Sequence, residues 1–231
     1  MVTKNKNPDN YIEKYQSKMD NLVKYLNKRI TENPEAEWHY SKFGKQVEKP
    51  IIEFLIENEL LINNSFRDQS ENKNEIPDII DEQYEKPVFI DIKAGNTVVF
   101  KTGKKVTNPN QDLSTTVNWK DKVFKKFDGE LCFFIEVRYR HVNGESLSVE
   151  ECIFDHFYKF VGKTDKGLIA HRRRNVRTKS WNAEPQFGSA EEFINLLDKT
   201  ISFSVKNTLL NSSNYLLEED KVEIIKHLNV K

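Results

Sequence analysis

The sequence predicts a mixed α/β (α+β) fold, a central β-sheet flanked by helices. Three observations predict it. The N-terminal part spaces its apolar residues by three and four, as a helix face requires. The middle holds short runs rich in Val, Ile and Phe, separated by turn residues, as strands do. The C-terminal part returns to helical spacing, so helices bracket a sheet in chain order.

The stretch "PDNYIEKYQSKMDNLVKYLNKRI" reads as one helix capped by Asp9, with Ile12, Tyr15, Met19, Leu22, Val23, Leu26 and Ile30 on one stripe. A second helix is expected in "SKFGKQVEKPIIEFLIENELL", burying Phe43, Val47, Ile51, Phe54 and Leu55. Pro50 interrupts it; a mid-helix proline costs about 3 kcal/mol, so a kink or a helix start near Lys49 is expected. "NNSFRDQSENKNE" has no periodicity and reads as a polar loop. "PDIID", "KPVFIDIK", "NTVVFKT" and "LCFFIEVRYR" read as strands, with "FYKFVG" and "GLIAHR" as later ones. "GSAEEFINLLDK" is a helix opened by a capping box from Ser189 to Glu192, and "LLEEDKVEIIKHL" is a closing helix. No repeat or low-complexity linker divides the chain, so one domain is expected over residues 1–231.

Hydrophobic residues make up 37% and charged residues 31%, which is polar, but 11% aromatics argue for a folded core rather than disorder. No run is long and apolar enough for a membrane span, and "MVTKNKNPDN" has no signal-peptide core. Cys132 and Cys152 sit beside apolar residues and read as buried thiols of a cytosolic protein. A zero net charge weighs against a generally basic nucleic-acid binder. Local sign says otherwise: "HRRRNVRTK" holds four arginines, a lysine and a histidine with no acid, and "FKTGKK" is a second basic cluster.

The informative segment is "IPDIIDEQYEKPVFIDIKAG". If its turn centres on Gln83–Glu85, Asp78 faces Asp91 and Ile80 faces Phe89, and opposed residues project from the same side. Lys93, two residues past Asp91, points the same way, while Ile79, Ile90 and Ile92 point to the core. Two carboxylates so close repel each other. A divalent cation removes the conflict: Mg²⁺ takes oxygen ligands, here Asp78, Asp91 and the Ile92 backbone carbonyl. Lys93 beside it can orient or deprotonate an attacking water, or stabilise charge on a phosphate. The set suits metal-assisted phosphodiester hydrolysis. Surface aspartates at strand ends are the bland alternative, but charged residues inside apolar strands need a reason.

Pro77–Asp78 followed by Asp91–Ile92–Lys93 resembles the PD-(D/E)xK nuclease motif, and the sequence is similar to type II restriction endonucleases, most of all the EcoRV-like branch. "KPIIEFL" resembles that branch's Pro-Ile-Ile segment, Gln69 falls where the branch has a minor-groove loop, and "QFGSAEEFINLL" resembles its Ser-x-x-Glu-Phe helix. The similarity covers roughly residues 40–95 and, more weakly, 155–200. One position departs: Lys45 stands where the branch has a helix acid. Glu48, three residues on and on nearly the same face, is the candidate auxiliary ligand, with Glu53 as the other choice.

The resemblance implies a restriction-endonuclease-like core and a Mg²⁺-dependent enzyme that cuts double-stranded DNA to 5′-phosphate and 3′-hydroxyl ends. It also implies a homodimer on a palindromic site and a cognate DNA methyltransferase in the same bacterial or archaeal cytoplasm. Residues 1–35 would then supply a dimerisation element, 36–140 the catalytic core, and 141–231 the recognition loops and C-terminal helices. Arginine and asparagine read base edges and bind phosphate, so Arg172, Arg173, Arg174, Asn175, Arg177 and Lys179 are the candidate DNA-contacting loop. A solvated basic loop or a membrane-surface patch is the plain alternative. Lys101, Lys104 and Lys105 are candidate phosphate contacts, Asn108 and Asn110 weaker ones, and Gln69 a minor-groove contact. The five histidines lack metal-ligand spacing. A structure-selective or repair nuclease, and a DNA-binding module without catalysis, are the competing readings.

Overall fold

In a computed structural model of the chain, residues 10–32, 38–39, 41–69, 77–98, 112–141, 147–172, 174–212 and 217–229 are described. Five strands, β1 (Phe66–Asp68), β2 (Ile79–Asp81), β3 (Val88–Asn96), β5 (Cys132–Arg140) and β6 (Ser148–His156), form one sheet in the order β1-β2-β3-β5-β6. All neighbours are antiparallel except β3 and β5, which run parallel, so the sheet is mixed. A second sheet, β4-β8-β7, is built from β4 (Asp112–Thr115), β7 (His171–Arg172) and β8 (Asn175–Arg177).

Alternation along β3 assigns the two faces of the main sheet. Val88, Ile90 and Ile92 point into a core shared with three helices: α1 (Tyr11–Gln16), α2 (Met19–Glu32) and α3 (Phe43–Glu57). Phe89 points the other way, into a core with Phe134, Trp119, Leu113 of β4, Val176 of β8 and Phe193. Asp91 and Lys93 share the face of Phe89. The small sheet therefore lies over the same side of the main sheet as the charged residues of β3. At the centre of this second core the Trp119 ring stacks on Phe157 at 4.6 Å. Trp119 opens a π-helical turn, after the short α4 (Thr116–Asn118) that Thr115 Oγ1 caps at Asn118 N–H, 3.0 Å.

The expected N-terminal helix is two helices. Ser17 ends the first by turning its hydroxyl back onto the Lys14 carbonyl, 2.8 Å, while Lys18 N–H bonds Tyr15 O. Asp9 lies outside the described residues; Asn10 is the residue before α1, in a left-handed conformation without a side-chain cap. α3 runs through Pro50 rather than starting at Lys49, and buries Phe43, Val47, Ile51, Phe54 and Leu55. That burial outweighs the backbone bond that proline removes.

Other expectations are corrected. The polar loop contains the edge strand β1, held by backbone pairing to β2. "FYKFVG" is a 3-10 turn, Phe157–Phe160, not a strand. "GLIAHR" contributes an isolated bridge, Lys163 to Ile169, and then β7. Most of "NTVVFKT" lies outside the described residues, and its Asn96 closes β3. α5 (Ala190–Ser212) starts as the capping box requires: Ser189 Oγ accepts Glu192 N–H at 3.2 Å. Glu192 reaches back one residue further than expected, to Gly188 N–H at 2.8 Å. α6 (Glu218–Asn229) follows. Cys132 and Cys152 are buried free thiols. Among the described residues no helix is long and apolar enough to cross a membrane.

Candidate active site

The hairpin β2–β3 has the register that its turn and alternation predict, with Ile79 opposite Ile90 and Ile80 opposite Phe89. β2 begins only at Ile79, so Asp78 stands just before the strand, after buried Pro77. Its carboxylate takes the place a strand would fill: Oδ2 accepts the Ile92 N–H at 2.7 Å. The N–H and C=O of one strand residue point to the same edge, so the Ile92 carbonyl faces Asp78 too. Asp91, 6% exposed, is paired with Lys93, whose Nζ lies 2.5 Å from Asp91 Oδ2.

The electrostatics of this group reflect two acids competing for one ammonium. Burial, and then the charge of Asp91, push the Asp78 carboxyl up to about 8, against the pull of Lys93 and the Ile92 N–H. Burial alone would lower the Lys93 ammonium, but Asp91, Asp78 and Glu48 outweigh it and hold it above its ordinary value. The ammonium of Lys93 is thus favoured by the three acids around it. Glu48, on α3, is 12% exposed and raised by burial, with Lys45 and Lys93 pulling it down and Asp91 pushing it up. Lys45 pairs with Glu48 at 2.7 Å.

Glu53 is elsewhere. It pairs with Arg29 and lies 3.5 Å from Tyr25 Oη, so it ties α3 to α2. Of the two helix acids, only Glu48 has an electrostatic connection to Asp91 and Lys93. Gln69 continues the edge of β1: its N–H donates to the Asp78 carbonyl at 2.7 Å, and its Oε1 is buried without a hydrogen-bond partner among the described residues.

The oxygens of Asp78, Asp91 and the Ile92 carbonyl fit a hard cation such as Mg²⁺, which commonly takes one or two carboxylates and keeps several waters. Burial first and then the charge of Asp91 raise the Asp78 carboxyl, and a cation between the two acids would relieve the second of these. Among the described residues no three His, Cys, Asp or Glu side chains converge on one point, so a zinc-type cage is not present there.

The basic segment is a β-hairpin rather than a loop. Arg172 pairs with Asn175 and His171 with Val176, and Arg174 sits in the turn at φ 72. Arg172 and Arg174 are exposed; Asn175 and Arg177 are half-buried in the pairing with β4. Lys179 turns inward, with Nζ donating to the Ala183 carbonyl at 2.6 Å. Arg173, Lys101, Lys104, Lys105, Asn108 and Asn110 lie outside the described residues.

The sequence reading missed Glu136, Arg138 and Trp181. β5 places Glu136 beside Lys93 in the parallel register, 4% exposed and raised chiefly by burial. The signal was available: a glutamate inside the apolar run "CFFIEVRYR" needs a partner.

No protein-family model and no curated protein matches the chain. Among solved structures, the NlaIV restriction endonuclease superposes with a TM-score of 0.53 at 16% identity, over 71% of this chain. The match spans 65% of that enzyme, just under two thirds of its length. At this identity the likeness concerns architecture, and the mixed sheet flanked by helices is a restriction-endonuclease-like fold.

Proposed function

We propose that the protein is a type II restriction endonuclease, a Mg²⁺-dependent hydrolase that cuts double-stranded DNA at specific sites. The observation that carries this reading is the group Asp78, Asp91, Ile92 carbonyl and Lys93 on one edge of β3, in a fold it shares with a restriction endonuclease. Mg²⁺, when bound by the two carboxylates and the carbonyl, supplies Lewis-acid polarisation of the phosphate. The protein's own groups do the rest. Lys93, held as a cation, stabilises charge developing on the phosphate oxygens. Glu48, raised by its half-buried site, accepts a hydrogen bond from the attacking water and orients it. The Ile92 N–H fixes the rotamer of Asp78, so the ligand oxygens are positioned before substrate arrives. Water attacks in line, leaving a 5′-phosphate and a 3′-hydroxyl.

The β7–β8 hairpin, on the same side of the sheet as Asp91 and Lys93, presents Arg172 and Arg174 for base or phosphate contact. Gln69, joined to Asp78 through the backbone, would enter the minor groove. A two-fold dimer would match a palindromic site, and a cognate methyltransferase would protect the host DNA. Kinship with the EcoRV-like branch rests on the sequence segments alone. Digestion of phage DNA with Mg²⁺, followed by end-sequencing, tests the reading. Discrete fragments with fixed ends and 5′-phosphates are expected; a smear, or cutting confined to branched DNA, would overturn site specificity.

A further inference from the structure

Besides Asp78, Asp91 and Glu48, a fourth acid stands next to Lys93. Alternation puts Asp91 and Lys93 of β3 and Phe134, Glu136 and Arg138 of β5 on one face of the sheet, and the parallel register sets Glu136 beside Lys93. Neighbouring strands lie about 4.8 Å apart, a span that both side chains can cover. Yet the two opposite charges do not pair. Lys93 Nζ turns to Asp91 Oδ2 at 2.5 Å, and Glu136 Oε1 lies 3.6 Å from Arg138 Nε. Asp91, Asp78 and Glu48 hold the Lys93 ammonium. Burial raises the Glu136 carboxyl, and Arg138, then Lys179, pull it back down.

Arg138 is fixed beside Glu136 by three further contacts. Nη1 donates at 2.6 Å to Glu151, its cross-strand neighbour on β6. Nη2 donates to the Trp181 carbonyl at 3.3 Å, and the Trp181 ring covers the guanidinium, 4.5 Å to the centroid. Lys179 is held as well, with Nζ donating to the Ala183 carbonyl at 2.6 Å. Glu136 is 4% exposed, so water screens it little, and a buried carboxylate that lost Arg138 would draw in another cation. On the sheet, the adjacent one is Lys93.

We propose that Arg138 is a positioning residue for catalysis: it engages Glu136 and so leaves Lys93 to Asp91 and to the phosphate. The proposal rests on the nuclease reading. It makes Lys179 and Trp181, which follow the basic hairpin in the chain, part of the support of the catalytic lysine.

The test is a mutant cycle on the full chain, read as single-turnover cleavage of plasmid in Mg²⁺ and as affinity for a short duplex in EDTA. Arg138→Met frees the charge of Glu136 and should slow cleavage about tenfold, with duplex affinity changed by less than about twofold. Glu136→Gln alone should keep the rate within about twofold of wild type. Adding Glu136→Gln to Arg138→Met should recover most of the lost rate, because the stray carboxylate is gone although the arginine has not returned. Lys179→Met removes the other cation of Glu136 without touching Arg138, and serves where Arg138→Met does not fold. It should slow cleavage about threefold, again rescued by Glu136→Gln. A loss of rate in Arg138→Met that Glu136→Gln does not rescue would make Arg138 a packing residue only and overturn the proposal. So would an Arg138→Met that cuts at the wild-type rate; the nuclease reading stands in both cases. A wild type that cuts no DNA overturns the nuclease reading and the proposal with it.

Discussion

Replacing Asp78 by asparagine tests the electrostatic account of the site most sharply. The amide keeps the shape and can still accept the Ile92 N–H, but it carries no proton to lose. In the metal-free protein the Asp78 carboxyl is pushed from 3.8 up to about 8 by burial and by Asp91. Between those values the folded protein holds a proton that the unfolded chain has released, so folding stability falls as pH rises. The slope is about 1.4 kcal/mol per pH unit for one proton. From pH 5 to 8 that amounts to about 4 kcal/mol, and solvent reaching the partly exposed carboxyl trims it to about 2–4 kcal/mol. Denaturant unfolding in EDTA across this range reads it directly. Asp81, Glu136 and His156 are also shifted, but they titrate in both proteins, so the difference reads Asp78 together with the groups coupled to it, Asp91, Lys93 and Glu48. Wild type should lose stability relative to Asp78→Asn as pH rises. Mg²⁺ should restore it in wild type only, and more at pH 8 than at pH 6. Parallel profiles for the two proteins, or a wild type that gains on the variant with rising pH, would refute the reasoning.

Four further outcomes are expected. Lys93→Met should reduce the single-turnover cleavage rate by about 10²–10³-fold while duplex binding changes little, as for loss of a group acting on transition-state charge. Glu48→Gln should slow cleavage about tenfold; Glu53→Gln should leave the rate unchanged and cost only about 0.5 kcal/mol of stability, because the pair with Arg29 is solvent-exposed, 37% on both sides. Asn27→Ala should cost about 2 kcal/mol in denaturant unfolding, because its amide both donates to and accepts from the Val149 backbone at 2.8 Å and so docks α2 on β6.

The hairpin that carries the site was legible because period-two alternation fixes which residues share a face, and a polar turn fixes the register. Ile80 opposite Phe89 follows from those alone. Its neighbours in the sheet were not. β1 is an edge strand of polar residues that owes its place to backbone bonds with β2, and backbone bonds leave no pattern in side chains. β6 went unread because Glu150 is the extra residue of a bulge: Arg138 pairs with Glu151 and Tyr139 with Val149, so two glutamates in a row break the alternation. The aromatic-rich "FYKF" has strand composition, yet its rings fill the core from a 3-10 turn, where packing overrides propensity. The pairing of Glu53 with Arg29, a residue from another helix, needed tertiary structure, because spacing along α3 does not distinguish Glu53 from Glu48. Arg138 of β5 lies under the ring of Trp181, 4.5 Å to the centroid and some forty residues later in the chain, a neighbourhood that spacing does not reveal.

Side-by-side incubation of supercoiled plasmid with wild type and Asp91→Ala, in Mg²⁺ and in EDTA, tests the central claim most directly. Wild type with Mg²⁺ should give discrete linear fragments ending in 5′-phosphate, while the variant and both EDTA reactions leave the plasmid intact. Full cleavage by Asp91→Ala, or by wild type in EDTA, would contradict the assignment of Asp78, Asp91 and Lys93 as the catalytic group.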